Sequence, residues 1–146
     1  MSAVGYRAMT IDDYDAVVAL WRSCEGLSIR DADSRAGVER YLSRNPGLSF
    51  VAERGARIVG SIMAGYDGKR GYIQHLAVDA SARRQGVASR LVALSVDALK
   101  AEGIEKSHVH VLKDNESGRA YWSGLGWKQR SEVVMYSFIN GDNDNA

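Results

Sequence analysis

Apolar and polar residues recur with two different periods along the 146-residue chain. Near the N-terminus, apolar residues follow a helical spacing after Thr10 and again after Ser34, which predicts two helices. Thr10 and Asp13 also have the spacing of a capping box, in which two side chains close a helix N-terminus. β-rich stretches then predict a meander of three antiparallel strands, at residues 49–54, 57–66 and 72–78.

The period changes again after the meander. Residues 87–99 carry an apolar stripe at helical spacing, residues 105–112 alternate as a strand, residues 115–127 form a short helix, and residues 131–139 alternate as a last strand. A further strand at residues 4–10 comes first. This order predicts an α/β (α+β) fold, in which a mixed, mostly antiparallel central sheet is flanked by about four helices and contains one strand–helix–strand crossover.

No repeat or linker divides the chain, so we predict a single domain over residues 1–139 and a disordered polar tail over residues 140–146. The net charge of +1, from 19 basic and 18 acidic residues, argues against a nucleic-acid partner. No apolar run approaches the roughly 20 residues of a membrane span, which argues against a membrane partner. The single cysteine, Cys24, excludes an intramolecular disulfide, and the N-terminus is unlike a signal peptide, so we predict a cytoplasmic protein.

The stretch with the most specific chemistry is ARRQGVA, residues 82–88, where a predicted strand leads into the apolar helix. The first N–H groups of a helix lack intrahelical partners and carry the positive end of the helix dipole, so they attract an anion. Gly86 has no Cβ to obstruct a phosphate, and Arg83 and Arg84 add positive charge. The P-loop and dinucleotide-binding motifs are absent, so the stretch is either a different phosphate-binding loop or an ordinary strand-to-helix turn.

These residues resemble a known family. Residues 83–88 match the Q/R-x-x-G-x-G/A loop that binds acyl-coenzyme A in the GNAT (general-control-type) N-acetyltransferases, and Leu76–Val78 resembles the strand before it. NESGRAYWSGLGW, at residues 115–127, is similar to the family's N-x-x-A-x-x-F/Y-Y-x-x-x-G-F/W segment. The predicted order of elements matches from about Tyr6 to Phe138, and the chain looks most like the small, single-domain bacterial members.

The resemblance implies an acyltransferase that moves acetyl from acetyl-CoA to a primary amine of a small molecule, amino acid or peptide by direct attack of the amine. It also implies that Leu76 donates its backbone N–H to the thioester oxygen, that Leu76 and Val78 pair with the pantetheine arm, and that the loop amides hold the pyrophosphate. The implied cofactor-binding residues are Leu76, Ala77, Val78, Arg83, Arg84, Gln85, Gly86, Val87, Ala88, Ser89, Asn115, Tyr121 and Trp122.

Three positions depart from the family pattern. Arg84 stands where the family often has a glycine, and Gly118 replaces the usual alanine. Trp122 occupies the position of the tyrosine that protonates the departing CoA thiolate in the family, and an indole N–H is not a usable acid. Tyr121 is adjacent, but one helical residue turns a side chain by about 100°. The candidates for the proton donor are therefore Tyr121, solvent or another residue.

The acceptor side of the site offers further candidates. His75 lies on the strand beside the thioester site, where the resemblance implies a base or proton relay; a strand histidine bonded to a neighbour is the alternative. His108 and His110 share one face of a predicted strand without a further ligand nearby in sequence, so we predict no metal site. The candidate substrate-binding residues, on the first helix, the loop after it and the hairpin, are Trp21, Glu25, Ser28, Tyr66 and Tyr72.

Two classes of function stay open at this point. The chain is an N-acetyltransferase or, because the family tyrosine is missing, a non-catalytic acyl-CoA-binding module that acts as a sensor or regulator. The amine acceptor is not readable from the sequence, because the elements that form acceptor pockets in this fold vary freely. A homodimer paired through the last strands is also left open.

Overall fold

The computed structural model describes residues 3–146, so the first two residues of the predicted domain lie outside the described part of the chain. The chain forms two compact units, one that ends at His110 and one that begins at Val111. The described part of the first unit contains a sheet and three α-helices, and the second unit contains one α-helix. Helices and a mixed sheet confirm the predicted fold class.

Five strands and four α-helices are defined. The strands are β1 Val4–Ala8, β2 Phe50–Arg54, β3 Arg57–Tyr66, β4 Gly71–Val78 and β5 Ser107–Val109. The helices are α1 Tyr14–Ser23, α2 Arg35–Arg44, α3 Val87–Ala101 and α4 Glu116–Gly124. The sheet order is β1-β2-β3-β4-β5; neighbours from β1 to β4 pair antiparallel, and β4 pairs parallel with β5. This arrangement confirms the predicted meander and crossover.

The first two helices begin with the polar contacts that the sequence predicts. The backbone N–H of Thr10 donates to Oδ2 of Asp13 at 2.9 Å, and the same carboxylate accepts from the Arg7 guanidinium at 2.6 and 2.8 Å. The Ser34 hydroxyl accepts from the Gly37 N–H at 3.1 Å at the start of α2. The contacts from Thr10 and Gly37 each satisfy a backbone donor at a helix end that has no intrahelical partner.

Apolar side chains of the helices cover the sheet. Trp21 of α1 is fully buried in a cluster that includes Met63 of β3. On α3, Val87 and Leu91 lie so close to β3 that a Cβ at Gly60 would be 3.0 and 3.1 Å from their side-chain carbons. Burying an aliphatic side chain stabilises the fold by about 1.5–3 kcal/mol, so this close packing holds the N-terminus of α3 against the sheet.

Two strand predictions differ from the structure. The strand predicted at residues 105–112 is shortened to β5, and the last strand predicted at residues 131–139 is wrong, because those residues form no strand. Alternating apolar residues favour a strand only where a neighbouring strand can satisfy the backbone, and no described strand pairs with this segment. Its apolar side chains are consequently 42–91% exposed: Val133, Val134, Met135, Tyr136, Phe138 and Ile139.

Candidate functional site

Strand β4 contains a bulge at His75 and Leu76. Its register with β3 shifts between Ser61 and Met63, so that these two residues of β4 stand opposite Ile62 alone. His75 has a φ of 50°, in the left-handed region, which costs a residue with a side chain about 1–3 kcal/mol. The bulge removes the backbone of Leu76, the predicted oxyanion donor, from the ladder with β3.

The opposite edge of β4 is unpaired beside the bulge. β5 pairs with β4 only from Gly71 to Ile73, and no described strand pairs with residues 74–78 on that side. An unpaired strand edge binds an extended ligand by adding it to the sheet through main-chain hydrogen bonds. The predicted pairing of Leu76 with a pantetheine arm therefore falls on an edge that is available within this unit.

The predicted phosphate-binding loop has two residues in the left-handed region, Arg84 with a φ of 62° and Gly86 with a φ of 77°. Gly86 immediately precedes α3, and no atom lies within 4 Å of the position that a Cβ would occupy there. Left-handed residues between helical ones form concave nests of N–H groups that bind anions. The loop thus combines open space, a helix N-terminus and two exposed arginines, Arg83 and Arg84.

Two side chains of the loop also hold it in place through hydrogen bonds. Nε of Arg83 donates to the carbonyl oxygen of Val78 at 3.2 Å, so this arginine ties the loop to the end of β4. Gln85 donates to the carbonyl oxygen of Ser81 at 3.1 Å and accepts from Arg54 at 2.6 Å. Because Arg83 occupies the carbonyl of Val78, the backbone of Leu76 is the less encumbered of the two predicted partners for a pantetheine arm.

His75 and Asp33 form a shielded pair next to the bulge. Nε2 of His75 lies 2.7 Å from Oδ1 of Asp33, and each side chain is 12% exposed. Burial by itself would raise the pKa of Asp33, but hydrogen bonds from His75 and from the Arg30 amide bring it below its ordinary value. Asp33 is therefore a carboxylate that accepts a hydrogen bond from Nε2–H of His75, so that Nδ1 is the ring nitrogen on the side away from this contact.

The indole ring of Trp21 packs against the imidazole of this pair. Its ring centroid lies 4.6 Å from that of His75, and its Nε1 donates to the hydroxyl of Ser61 at 3.0 Å inside the core. The fully buried indole is fixed by this hydrogen bond, so it limits the orientations that the imidazole can adopt. Trp21, predicted as a substrate contact, packs against the ring of His75.

A cavity of about 440 Å³ lies between α2, the turn that precedes it and the sheet. Asp31 and Asp33 line it at the start of α2, and Arg40 and Arg44 line it along the last two turns of the helix. Both acidic residues belong to a single 3₁₀ turn, Asp31–Asp33. The cavity therefore has an acidic end beside His75 and a basic end farther along α2.

The wall of the cavity includes a buried tyrosine. The hydroxyl of Tyr41 is shielded from solvent, and no hydrogen bond of accepted geometry from a described residue reaches it. Burial raises the pKa of Tyr41 to about 12, and the nearby Gln74 side chain only partly offsets this rise. Tyr41 is consequently a neutral, rigid part of the wall.

The sequence predicted the helix that carries several of these cavity residues but assigned none of them to the functional site. Of its substrate candidates, Glu25 and Ser28 are exposed in the loop after α1, and the ring of Tyr72 lies 5.7 Å from that of His108. Neither these three nor Tyr66 lines the cavity. The polar residues on α2 were the signal in the sequence for this cavity. Helices are recognised from their apolar stripe, so the polar face of α2 drew no functional prediction. The roles of the substrate candidates stay predictions.

In the second unit, α4 begins as predicted at Asn115, whose Oδ1 accepts from the Gly118 N–H at 3.0 Å. A Cβ at Gly118 would lie 2.5 Å from Nδ2 of Asn115, which explains why glycine replaces alanine here. Trp122 is 8% exposed, with its ring centroid 4.6 Å from that of Trp127 and 5.4 Å from that of Tyr121. Trp122 is thus a packing residue of its unit.

Residues 3–146 contain no group of three or more histidine, cysteine, aspartate or glutamate side chains that could hold a metal ion. None of their helices is both long enough and apolar enough to span a bilayer.

Solved structures share this fold. AAC(6')-Iy in complex with the bisubstrate analogue CoA-S-monomethyl-acetylneamine aligns with a TM-score of 0.74 and 20% identity, over 94% of this chain and 99% of that one. The diaminobutyrate acetyltransferase of Paenibacillus lautus, in complex with L-2,4-diaminobutyric acid and coenzyme A, aligns with a TM-score of 0.72 and 22% identity, over 86% of this chain and 75% of that one. At these identities the likeness establishes the fold.

Sequence comparison establishes the family. An acetyltransferase of Pectobacterium atrosepticum is 40% identical over 106 residues, which cover 73% of this chain and 74% of that protein. An acetyltransferase of Sodalis glossinidius is 33% identical over 129 residues, which cover 88% and 90%. The family model described as "Acetyltransferase (GNAT) family" matches residues 14–127. With more than half of its length matched by this model, the chain belongs to the GNAT acetyltransferase family.

Proposed function

We propose that this protein transfers an acetyl group from acetyl-CoA to the nitrogen of a primary amine. The observation that carries the proposal is that one unit holds both the bulge at His75 and Leu76 and the left-handed loop at Gly86. The bulge suits a thioester, because it frees a backbone N–H next to an oriented histidine. The loop suits a pyrophosphate, because it opens a helix N-terminus to an anion.

The donor would bind along the unpaired edge of β4 and end at α3. Residues 84–89 would surround the pyrophosphate with backbone N–H groups, and the Arg84 side chain, which forms no hydrogen bond with a described residue, adds a positive charge there. The pantetheine arm would extend the sheet beside Leu76. The N–H of Leu76 then stabilises the oxyanion, a contact that is typically worth about 2.7–4 kcal/mol of barrier.

The acceptor must lose a proton before it attacks. A primary amine is mainly an ammonium ion near neutral pH, and Nδ1 of His75 is the base that we assign to it, since Asp33 holds Nε2. The amine nitrogen then forms a bond to the thioester carbon, and the developing oxyanion receives the Leu76 N–H. As the carbonyl re-forms, the carbon–sulfur bond breaks and the CoA thiolate leaves. The attacking nitrogen gives up its second proton to solvent, as His75 does the first, and the thiolate takes up one proton.

The donor of that last proton is proposed to be Tyr121, with solvent as the alternative. Trp122 is unsuited to the role because its indole N–H has no acidic function and its ring packs on Trp127. Thiols have pKa values near 8.5, so the CoA thiolate is a tolerable leaving group even without a protein acid. The residue that Trp122 replaces is therefore not a requirement for turnover.

Calorimetric titration with CoA and a thiol-release assay across primary amines test the proposal together. We expect CoA to bind, Gly86→Glu to abolish binding, and thiol release to depend on an added amine. Gly103→Glu is the matched control, because Gly103 follows the same helix, has a φ of 87° and is equally open around its Cβ position. It carries the same strain and charge at the other end of α3, so it should leave CoA binding intact.

Two outcomes would overturn this function. Loss of CoA binding in both glycine variants would mean that the loop has no special part in recognising an anion. Normal CoA binding without thiol release for any amine would instead identify the protein as a non-catalytic acyl-CoA sensor.

A further inference from the structure

The cavity beside α2 has opposite charges at its two ends, and this separation points to the kind of acceptor that it holds. At the acidic end, Asp33 is held by its hydrogen bond with His75, and Asp31 lies on the same turn. At the basic end, Arg40 and Arg44 are both exposed, and neither forms an ion pair with a residue that the structure describes. The positive charge at this end is therefore not balanced by an ion pair with a described residue.

The spacing of the two arginines makes this charge significant. Residues four apart lie on the same face of a helix, where two like charges repel and destabilise the helix. Arg35, on the same helix but outside the cavity, lies 4.0 Å from Asp15 and over the ring of Tyr14. Arg40 and Arg44 have no such compensation from the described residues. An anionic group placed between them would relieve the repulsion through charge-assisted hydrogen bonds.

The length of α2 sets the distance between the two ends. With a rise of 1.5 Å per residue, Arg40 stands about 8 Å along the helix axis from Arg35, the first residue of α2, and Asp33 lies two residues before it, so the two ends are about 10 Å apart. Three extended residues of a peptide span about the same distance. Between the two ends, the wall includes the apolar side chains of Val38 and Met63, each 2% exposed, beside the ring of Tyr41.

We propose that the acceptor carries a carboxylate about 10 Å from its reacting amine, joined by an apolar spacer. The amine lies at the Asp33–His75 end, and the carboxylate binds Arg40 and Arg44. A short peptide with a free C-terminus and a long ω-amino acid both have this chemistry. The inference rests on the proposed function, because the amine end is defined by the assigned base.

Matched acceptors that differ in one charge test this inference. Thiol-release kinetics are measured with the tripeptide alanyl-leucyl-alanine and its C-terminal amide, and with aminooctanoate and its amide. We expect each acid to have a kcat/KM at least about tenfold above its amide, as one charged hydrogen-bonded contact provides. The acid with the higher kcat/KM then shows whether the acceptor is a peptide or an ω-amino acid.

The arginines are tested with a double variant and a matched control. Arg40→Gln with Arg44→Gln should raise KM for the acids by about tenfold or more, with kcat little changed, and should leave the amides within about twofold. Arg35→Gln removes a charge from the same helix outside the cavity and should change neither class.

Three results would overturn the inference. They are equal kcat/KM for acids and amides, an equal loss for both classes in the double variant, and acetylation confined to amines without a carboxylate. A complete absence of thiol release with every amine would instead refute the proposed function itself. The two failures are distinguishable, because simple alkylamines are included as acceptors without a carboxylate.

Discussion

Asp33 accepts a hydrogen bond from Nε2 of His75 at 2.7 Å, across 42 residues of sequence. Asp33 belongs to the short turn before α2, and His75 belongs to the bulge of β4. This contact joins the wall of the acceptor cavity to the strand edge proposed for the thioester. It also fixes which imidazole nitrogen is free, because a carboxylate can only accept a proton.

Removing the charge of Asp33 tests this relationship. Asp33→Asn keeps the size of the side chain but no longer favours the tautomer with its proton on Nε2, so we expect kcat to fall by about ten- to a hundredfold. His75→Gln should fall at least as far, and CoA should bind both variants as it binds the native protein. Steady-state thiol release between pH 6 and 9 and calorimetry with CoA provide the measurements.

Asp97→Asn, an exposed change on α3, is the control for the Asp33 substitution. Native activity in Asp33→Asn would show that His75 needs no orienting partner. A loss of CoA binding in parallel with kcat would show that the pair supports the fold rather than the reaction.

The Arg7–Asp13 pair gives a pH-dependent contribution to stability. Burial by itself would raise the pKa of Asp13, but hydrogen bonds from Arg7 and Thr10 hold it below its ordinary value. A carboxyl with a lowered folded pKa stabilises the fold above its unfolded pKa, and this contribution is lost as the pH falls through the folded value. Asp13→Asn should therefore lower the free energy of unfolding by about 1–3 kcal/mol at pH 7.

The difference between Asp13→Asn and the native protein should begin to shrink as the pH falls below about 4, where the carboxyl of the unfolded chain takes up a proton, and should continue to shrink through the lower folded pKa. Urea unfolding at pH 7 and at lower pH measures both values. A difference that stays constant across this range would show that the ionised form of Asp13 contributes nothing.

Arg84 is strained by its backbone conformation. Its φ of 62° costs a residue with a side chain about 1–2 kcal/mol, and glycine adopts it freely at an entropic cost of about 0.5–1 kcal/mol. Arg84→Gly should consequently stabilise the protein by about 0.5–1 kcal/mol and weaken CoA binding through the lost charge. Denaturant midpoints at unchanged m-value and calorimetric titration separate the two effects.

Arg83→Gly is the matched comparison for Arg84→Gly. Arg83 has a φ of −72° and donates to the Val78 carbonyl, so its replacement should destabilise the protein. Equal effects of the two glycine substitutions would contradict the role that we assign to the left-handed conformation.

Tyr121→Phe tests the proton donor, because it removes only a hydroxyl group. If Tyr121 protonates the CoA thiolate, kcat should fall by about tenfold or more near neutral pH, as loss of a general acid does. The deficit should shrink above about pH 8.5, where the thiolate leaves without needing a proton. Trp122→Phe should mainly lower stability, since Trp122 packs on Trp127. An unchanged rate for Tyr121→Phe across this range would leave solvent as the donor.

The elements of the first unit were predicted well where the signal is local. The capping pair Thr10–Asp13, the bounds of β3 and the start of α3 at Gly86 all depend on residues within a few positions of each other. Segment 131–139 has an equally regular pattern but forms no strand, because a strand requires a partner that the pattern does not supply. Periodicity predicts the face of an element and leaves its pairing undetermined.

The sequence by itself determined the proposed phosphate-binding loop, since Arg83, Arg84 and Gly86 are neighbours and a helix N-terminus is a local property. Only the tertiary structure decided that Asp33 meets His75, because the contact joins segments that the chain holds far apart. The same applies to the cavity with Arg40 at its basic end, which exists only because α2 packs against the sheet. Local chemistry therefore defines the proposed donor loop, and long-range packing defines the proposed acceptor cavity.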